Sequence, residues 1–408
     1  MKICFKRINI IKVFVYLWLI CNAEFLYVEP IGNALNRIST YHNKILVTLI
    51  CIFIFILSMT GITPHGKKYS LIEMELMLLL LFVCCIFLIQ LFSNEVSVVD
   101  GLSKSYYFFV LLGYIGLAGS CKKYPQLFGW IVNISIKIGT LYAFVNIIFY
   151  LVFFYFGIIL SYIPMLQQIN NGMRIPRSSD FIQYTLVIYM IEIAEGNKRK
   201  GNYLGALICS IELIFVAQVR MALVVCGLVL VMIICSKGKY RFVLMFMGLA
   251  FCVYFVVNFF LQQDSVVISL FLGTGKRYDS VFYRIIEIKY YMKYIFAGGM
   301  FGFGFNGDTE LLKYSITDIG ILGFFYQFGL MGIVWFISFV YVLFARLHNT
   351  KEIGVKAMVV YLIGDCISLS PLNAQRIVFL PFALLFIDMS SKLKIEAKDE
   401  YCICHFKL

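Results

Sequence analysis

The sequence predicts an all-α, polytopic membrane protein of about twelve spans, and three observations predict it. Of the 408 residues, 62% are hydrophobic and only 14% charged, against about 25% charged in a soluble domain. Mean hydropathy is +0.89, and apolar runs near 20 residues recur along the chain, the length of a bilayer crossing. The basic residues, finally, fall mostly between alternate runs, as the positive-inside rule requires.

Spans are expected near 9–28, 44–60, 72–92, 105–120, 126–160, 180–194, 203–219, 221–235, 241–262, 318–345, 355–372 and 376–391. The first follows Lys2, Lys6 and Arg7 and resembles a signal peptide. Its apolar character continues past Cys21 and Ala23 to Val28, which reads as an uncleaved span. The fifth run is too long for one straight crossing and must tilt or protrude. With the first residues in the cytoplasm, the inward segments hold Lys67 and Lys68; Lys122 and Lys123; Lys198, Arg199 and Lys200; Lys237, Lys239 and Arg241; and Arg346, Lys351 and Lys356. The alternate segment 93–104 carries Glu95 and Asp100 with only Lys104. A missed span would invert everything after it, so both ends are expected inside. No repeat or linker divides residues 1–408, which form one domain.

A net charge of +13 raises the question of nucleic acid. No soluble fold carries a basic cluster, however, and lysine-rich cytoplasmic loops facing anionic headgroups account for the charge. Nucleic acid is not an expected partner. Most of the 13 cysteines lie in apolar runs, where they pack as small hydrophobes. Cys402 and Cys404 beside His405 are too few ligands, on a terminal tail, to be read as a metal site. Neither a metal nor a cofactor is expected.

Positive charge retained on the outward side is the exception that points to function. Residues 161–180, SYIPMLQQINNGMRIPRSSD, carry Arg174 and Arg177 with no acid before Asp180. Two arginines cannot pair with each other, which leaves them to an anion. Arg220 opens the 221–235 run from the outward side, and Arg376 sits at the last outward turn. Glu212 and Asp365 lie within spans, where internal pairing or a cavity lining explains a carboxylate.

The second outward segment, 264–318, contains RYDSVFYRIIEIKYYMKYIF at 277–296. Val281, Ile285, Ile288, Met292 and Ile295 recur at helical spacing and predict an apolar face. Arg277, Arg284 and Tyr291, each seven apart, run along its edge, as an interfacial helix at headgroup depth would place them. Next comes GGMFGFGFNG, 298–307. Its Gly302-x-Gly304-x-x-Gly307 matches a dinucleotide fingerprint in letters only, without the strand and helix that give the motif meaning. These glycines are expected instead to make tight turns and let backbone approach a ligand. Gly275-Lys276 precedes Arg277, not Ser or Thr, and is no phosphate-binding loop. Asp318 closes the segment, either as a general base or as a helix cap.

The outward arginine segment, the Gln218-Val219-Arg220-Met221-Ala222 junction, and Arg284 leading to Gly298 and Asp318-Ile-Gly-Ile-Leu-Gly resemble the Wzy-type O-antigen polymerases, relatives of the O-antigen ligases. The topological likeness covers nearly the whole chain; the motifs are short. It implies an inverting, metal-independent glycosyl transfer at the periplasmic face of a bacterial inner membrane. The substrates would be undecaprenyl-pyrophosphate-linked repeat units, and a flippase and a chain-length regulator would share the membrane. Under the resemblance Arg284 and Arg220 are pyrophosphate-binding catalytic residues and Asp318 stands where ligases carry a histidine. Arg174, Arg177, Arg277, Tyr291 and Arg376 are candidate substrate contacts. The chain's histidines are His42, His65, His348 and His405, none in either outward segment, which favours polymerase over ligase. A lipid-linked oligosaccharide flippase is the rival from another class. It would share the arginine-lined cavity without needing so long an outward segment.

Overall fold

The computed structural model describes residues 7–22, 39–60, 69–157, 167–169, 172–175, 179–197, 199–236, 278–305, 320–368, 370–373 and 376–400. The expected 241–262 span, Arg177, Arg277 and Asp318 lie outside them. The chain runs α1 (Arg7–Asn22), α2 (Ser39–Met59), α3 (Leu71–Phe92), the short α4 (Val98–Ser105) with a 3-10 turn (Tyr106–Val110), α5 (Leu111–Lys123) and α6 (Gln126–Phe156). A hairpin follows, β1 (Gln167–Ile169) and β2 (Gly172–Arg174), then α7 (Ser179–Ala194), α8 (Lys200–Ile211) with a π turn (Glu212–Ala217), and α9 (Arg220–Ser236). After these come α10 (Tyr278–Ile295), α11 (Ile321–Asn349), α12 (Ile353–Ser368) and α13 (Leu380–Glu400).

This is a helical membrane protein. Leu71–Phe92, Gln126–Phe156, Lys200–Ala217 and Ile321–Asn349 are long and apolar enough to cross a bilayer, and Ile45–Met59, Met221–Ser236 and Leu380–Ser390 are shorter apolar helices. Their exposed faces are apolar too, with Leu81 of α3 61% and Ile337 of α11 62% exposed. Such a surface would aggregate in water and suits hydrocarbon. The 126–160 run forms one helix of 31 residues ended by Gly157 in the left-handed region. At 1.5 Å per residue it is about 46 Å long, well beyond a hydrocarbon core. The 105–120 run forms a 3-10 turn running into α5, preceded by α4, which occupies much of the expected 93–104 loop.

Helix α7 is the centre of the core: Phe181 to Tyr189 are all buried, and α6, α8, α9 and α12 pack around it. Neighbouring helices run antiparallel where side chains register them. The Glu75 carbonyl of α3 accepts from Trp335 Nε1 of α11 at 2.9 Å, while Phe82, further up α3, faces Phe328, earlier on α11, at 5.7 Å between rings.

Polar groups gather at two ends. At one end, Ser70 caps α3 by accepting from Glu73 N at 3.2 Å, and Glu73 accepts from Ser70 N at 2.7 Å, a reciprocal capping box. Glu73 also pairs with Lys122 at 2.7 Å. Arg346 meets buried Asp388 at 3.0 Å, and Arg7 donates to the Leu57 carbonyl and the Thr60 hydroxyl. The opposite end holds the hairpin, Gln90, Asp180 and Arg376.

A break in α11 shapes that second end. Gly329 has φ 58° and ψ −147°, which interrupts the helix. The glycine-rich segment 298–305 lies against the break and supplies the missing partners. Phe303 N donates to Tyr326 O, Gly304 N to Gln327 O, Leu330 N to Gly299 O and Met331 N to Met300 O, at 2.7–3.2 Å. Gln90 of α3 clasps the same segment, donating to Phe303 O at 3.0 Å and accepting from Phe305 N at 2.7 Å. A Cβ at Gly302 would stand 2.4 Å from Gly329 N, and one at Gly329 2.4 Å from Gly302 N. Gly302 thus makes its close approach to the backbone of α11, and Gly304 makes its own to the Gln90 amide of α3. Broken helices are tolerated at membrane depth when other protein backbone satisfies them.

Candidate functional site

The hairpin end unites segments that are far apart in sequence. Backbone Ile175 N, one residue past β2, donates to Val216 O at 3.0 Å, and Ile175 and Val216 bury each other with Ile147, Phe149 and Tyr150 of α6 alongside. Val216 belongs to the π turn that breaks the α8–α9 pair. The break ends at Gln218, in the left-handed region at φ 52°, and Arg220 then starts α9. The arginine loop and the Arg220 junction are thus fastened together by backbone, with Arg174 one residue before Ile175 and Arg220 four residues after Val216 in the chain. π turns of this kind mark strained, often functional, positions in helices.

Beneath the junction lies a layer of buried polar groups. Glu212, the first residue of the π turn, is 0% exposed. Its Oε1 accepts from Asn146 Nδ2 of α6 at 3.1 Å, and its Oε2 has no partner among the described residues. A carboxylate half satisfied in a buried site is costly and calls for a reason. Arg376 stands between two carboxylates: it donates from Nη1 to Asp365 of α12, and its Nη2 lies 2.7 Å from Asp180 at the start of α7. Arg376 Nε has no partner among the described residues. A cleft lined by Asp180, Tyr361, Asp365, Pro371, Arg376 and Phe379 leaves about 10 Å³ in which a water centre could move, enough for about one molecule. Val225 of α9 touches the Gly364 position beside Asp365, 3.2 Å from where a Cβ would be. Five residues of helix separate it from Arg220, about 7.5 Å, so this ion-pair layer sits roughly one and a half turns below the arginine junction.

Two expected substrate contacts are buried in the structure. Arg376, 3% exposed, is held between two carboxylates. Internal pairing and a cavity lining, the two readings of Asp365, are both realised. Tyr291 is 0% exposed and packs edge-on to Tyr326 of α11 at 4.9 Å, in a cluster with Tyr290, Tyr294 and Phe303. It is a packing residue. The expected helix over 277–296 is present as α10, but its buried face is Glu287, Tyr291 and Ile295. Ile288 and Met292, of the expected apolar face, are 40% and 44% exposed. The tyrosine rings offer more area to α11 than the aliphatic stripe does, and so decide which face turns inward.

The structure does not bring all the arginines into one helix pair. Arg284 lies on α10, which packs against α11; Arg220 starts α9, which packs against α7 and α12, and α11 and α12 pack against each other. Sequence reasoning passed over Asn146 and Gln183. Gln183, one turn after Asp180, is 1% exposed, with neither amide atom partnered among the described residues. Both could have been found as polar side chains within apolar runs. Among the described residues no group of three metal-ligating side chains converges. No protein-family model matches the chain, and no curated protein matches it significantly.

Proposed function

We propose that this chain is an inverting, metal-independent glycosyltransferase that polymerises O-antigen or a related surface polysaccharide at the periplasmic face of a bacterial inner membrane. The observation that carries the reading is the Ile175–Val216 backbone bond, which joins the loop that carries Arg174 to the helix break before Arg220, above a buried polar layer. A pyrophosphate needs such a constellation, because arginine forks bind phosphate oxygens in pairs. The proposal includes about twelve spans with both termini cytoplasmic, and segments 161–180 and 264–318 on the periplasmic side.

In the reaction, the acceptor hydroxyl oxygen attacks the donor's anomeric carbon from the face opposite the pyrophosphate. The carbon–oxygen bond to the lipid pyrophosphate breaks, and its electron pair leaves with the phosphate. Arg220 and Arg284 stabilise that charge, with Arg174, Arg177 and Arg277 guiding the lipid-linked substrate. Asp318 takes the hydroxyl proton. Undecaprenyl-pyrophosphate-linked repeat units are both donor and acceptor, supplied by a flippase and limited by a chain-length regulator in the same membrane.

The lipopolysaccharide of a strain lacking this gene tests the reading. Loss of a polymerase leaves core bearing one repeat, whereas loss of a ligase leaves bare core. Arg284→Lys and Arg220→Lys keep the charge but lose the fork, and each should lower polymer formation at least about 10²-fold at normal protein abundance. Wild-type ladders from Arg284→Ala would end its role. Asp318→Asn should bind donor yet make little polymer, while near-normal polymer would leave Asp318 a helix cap. The buried Glu212 and the Asp180–Arg376–Asp365 unit favour one second reading, a flippase, since intramembrane charges line many transport pathways. A flippase null would leave the repeat units in the cytoplasmic leaflet.

A further inference from the structure

The face of α10 that α11 does not cover has a composition of its own. Ile288, Met292 and Phe296 form a stripe at four-residue spacing, 40%, 44% and 73% exposed. One residue round the helix, Lys289 and Lys293 are exposed, and neither is paired with a carboxylate among the described residues. The stripe continues into Met300 and Phe301, also exposed. Met300 O accepts from Met331 N of α11, next to exposed Leu330 and close to exposed Val334, and the Phe301 ring lies 6.5 Å from Phe82 of α3. The apolar stripe of α10 therefore runs without interruption into the apolar outer surface of two membrane-length helices.

We propose that α10 is seated in the bilayer surface, with Ile288, Met292 and Phe296 among acyl chains and Lys289 and Lys293 bound to the phosphates of anionic lipid headgroups. Continuity with α3 and α11 argues for lipid rather than a second protein, because whatever solvates those helices also meets the stripe. The two ammonium groups stand one turn apart on one border of the stripe, where the acyl region gives way to headgroups. Each lysine near an anionic surface contributes about 1 kcal/mol, roughly a five-fold preference. The inference rests on the membrane character of the chain and is independent of the glycosyl transfer.

The full chain carrying Phe296→Trp, reconstituted into bilayers, tests it by quenching of the added indole by lipids brominated in the acyl chain, with the parent chain subtracted. Both brominated phosphatidylcholine and brominated phosphatidylglycerol should quench. The anionic lipid should act at a mole fraction lower by about five-fold for each lysine. Lys289→Gln with Lys293→Gln should erase that preference and leave quenching by phosphatidylcholine intact, which a misfolded chain would not do. No quenching by either lipid would put protein over the stripe and overturn the proposal. Equal potency of the two lipids in the lysine-bearing chain would overturn it as well. So would loss of the preference on adding soluble inorganic pyrophosphate, which would show a site for free phosphate.

Discussion

Removing the guanidinium of Arg376 would leave Asp180 and Asp365 facing one another across a closed cleft without the cation that both contact. Arg376→Ala should therefore lower stability by about 3–5 kcal/mol, the cost of an uncompensated buried charge, read as an earlier thermal transition of the detergent-solubilised protein. Arg376→Met combined with Asp180→Asn and Asp365→Asn removes the charges together. It should return the transition to near the wild-type temperature, because apolar replacement of a whole buried ion-pair set is often neutral. Activity in that triple variant separates two roles. A structural Arg376 predicts polymer formation near wild type once the fold is restored. An arginine that must reach the substrate predicts a stable protein that makes no polymer. The half-satisfied Glu212 is the complementary case, since Asn146 answers only one of its oxygens.

At the scale of elements, the broken helix α11 and the glycine-rich segment are one unit. Neither completes its hydrogen bonds alone: Leu330 and Met331 would lose their acceptors, and the carbonyls of Tyr326 and Gln327 their donors. Gly302 sits at φ 70°, and a methyl group placed on it would meet Gly329 N at 2.4 Å, whereas Gly299, at φ 66°, has open space around its Cβ direction. Both substitutions to alanine bear the left-handed strain of about 1–2 kcal/mol, but only Gly302→Ala must also push two backbones apart. Gly302→Ala should thus destabilise well beyond Gly299→Ala. It should also expose the amides of Leu330 and Met331 to hydrogen exchange, which Gly299→Ala should leave protected. Equal effects would mean that the segment merely covers the break.

For the whole molecule, helices are legible where apolar runs end at charges: the runs 180–194 and 221–235 are found as the helices Ser179–Ala194 and Arg220–Ser236. Features that depend on distant partners are not legible in this way. The fastening of Ile175 to Val216, the break at Gly329 and the acid partners of Arg376 join segments whose proximity no local period encodes. The inward face of α10 departs from the aliphatic pattern because tyrosine carries both an apolar ring and a hydroxyl, and α11 decides which matters. The charge alternation makes a separate claim, about sides rather than contacts. The structure separates polar residues into two ends, Glu73, Lys122, Arg346 and Asp388 at one and Asp180, Asp365 and Arg376 at the other, and the loops beyond the first are the lysine-rich ones. Positive charge resists translocation, so the first end should be cytoplasmic and the arginine end periplasmic. Single cysteines introduced as Asn170→Cys and Asp308→Cys should react with a membrane-impermeant thiol reagent in intact spheroplasts, while Arg199→Cys should react only after lysis. Labelling of Arg199→Cys in intact cells, with the other two protected, would invert the molecule and remove the arginine segments from the compartment where lipid-linked glycan is polymerised.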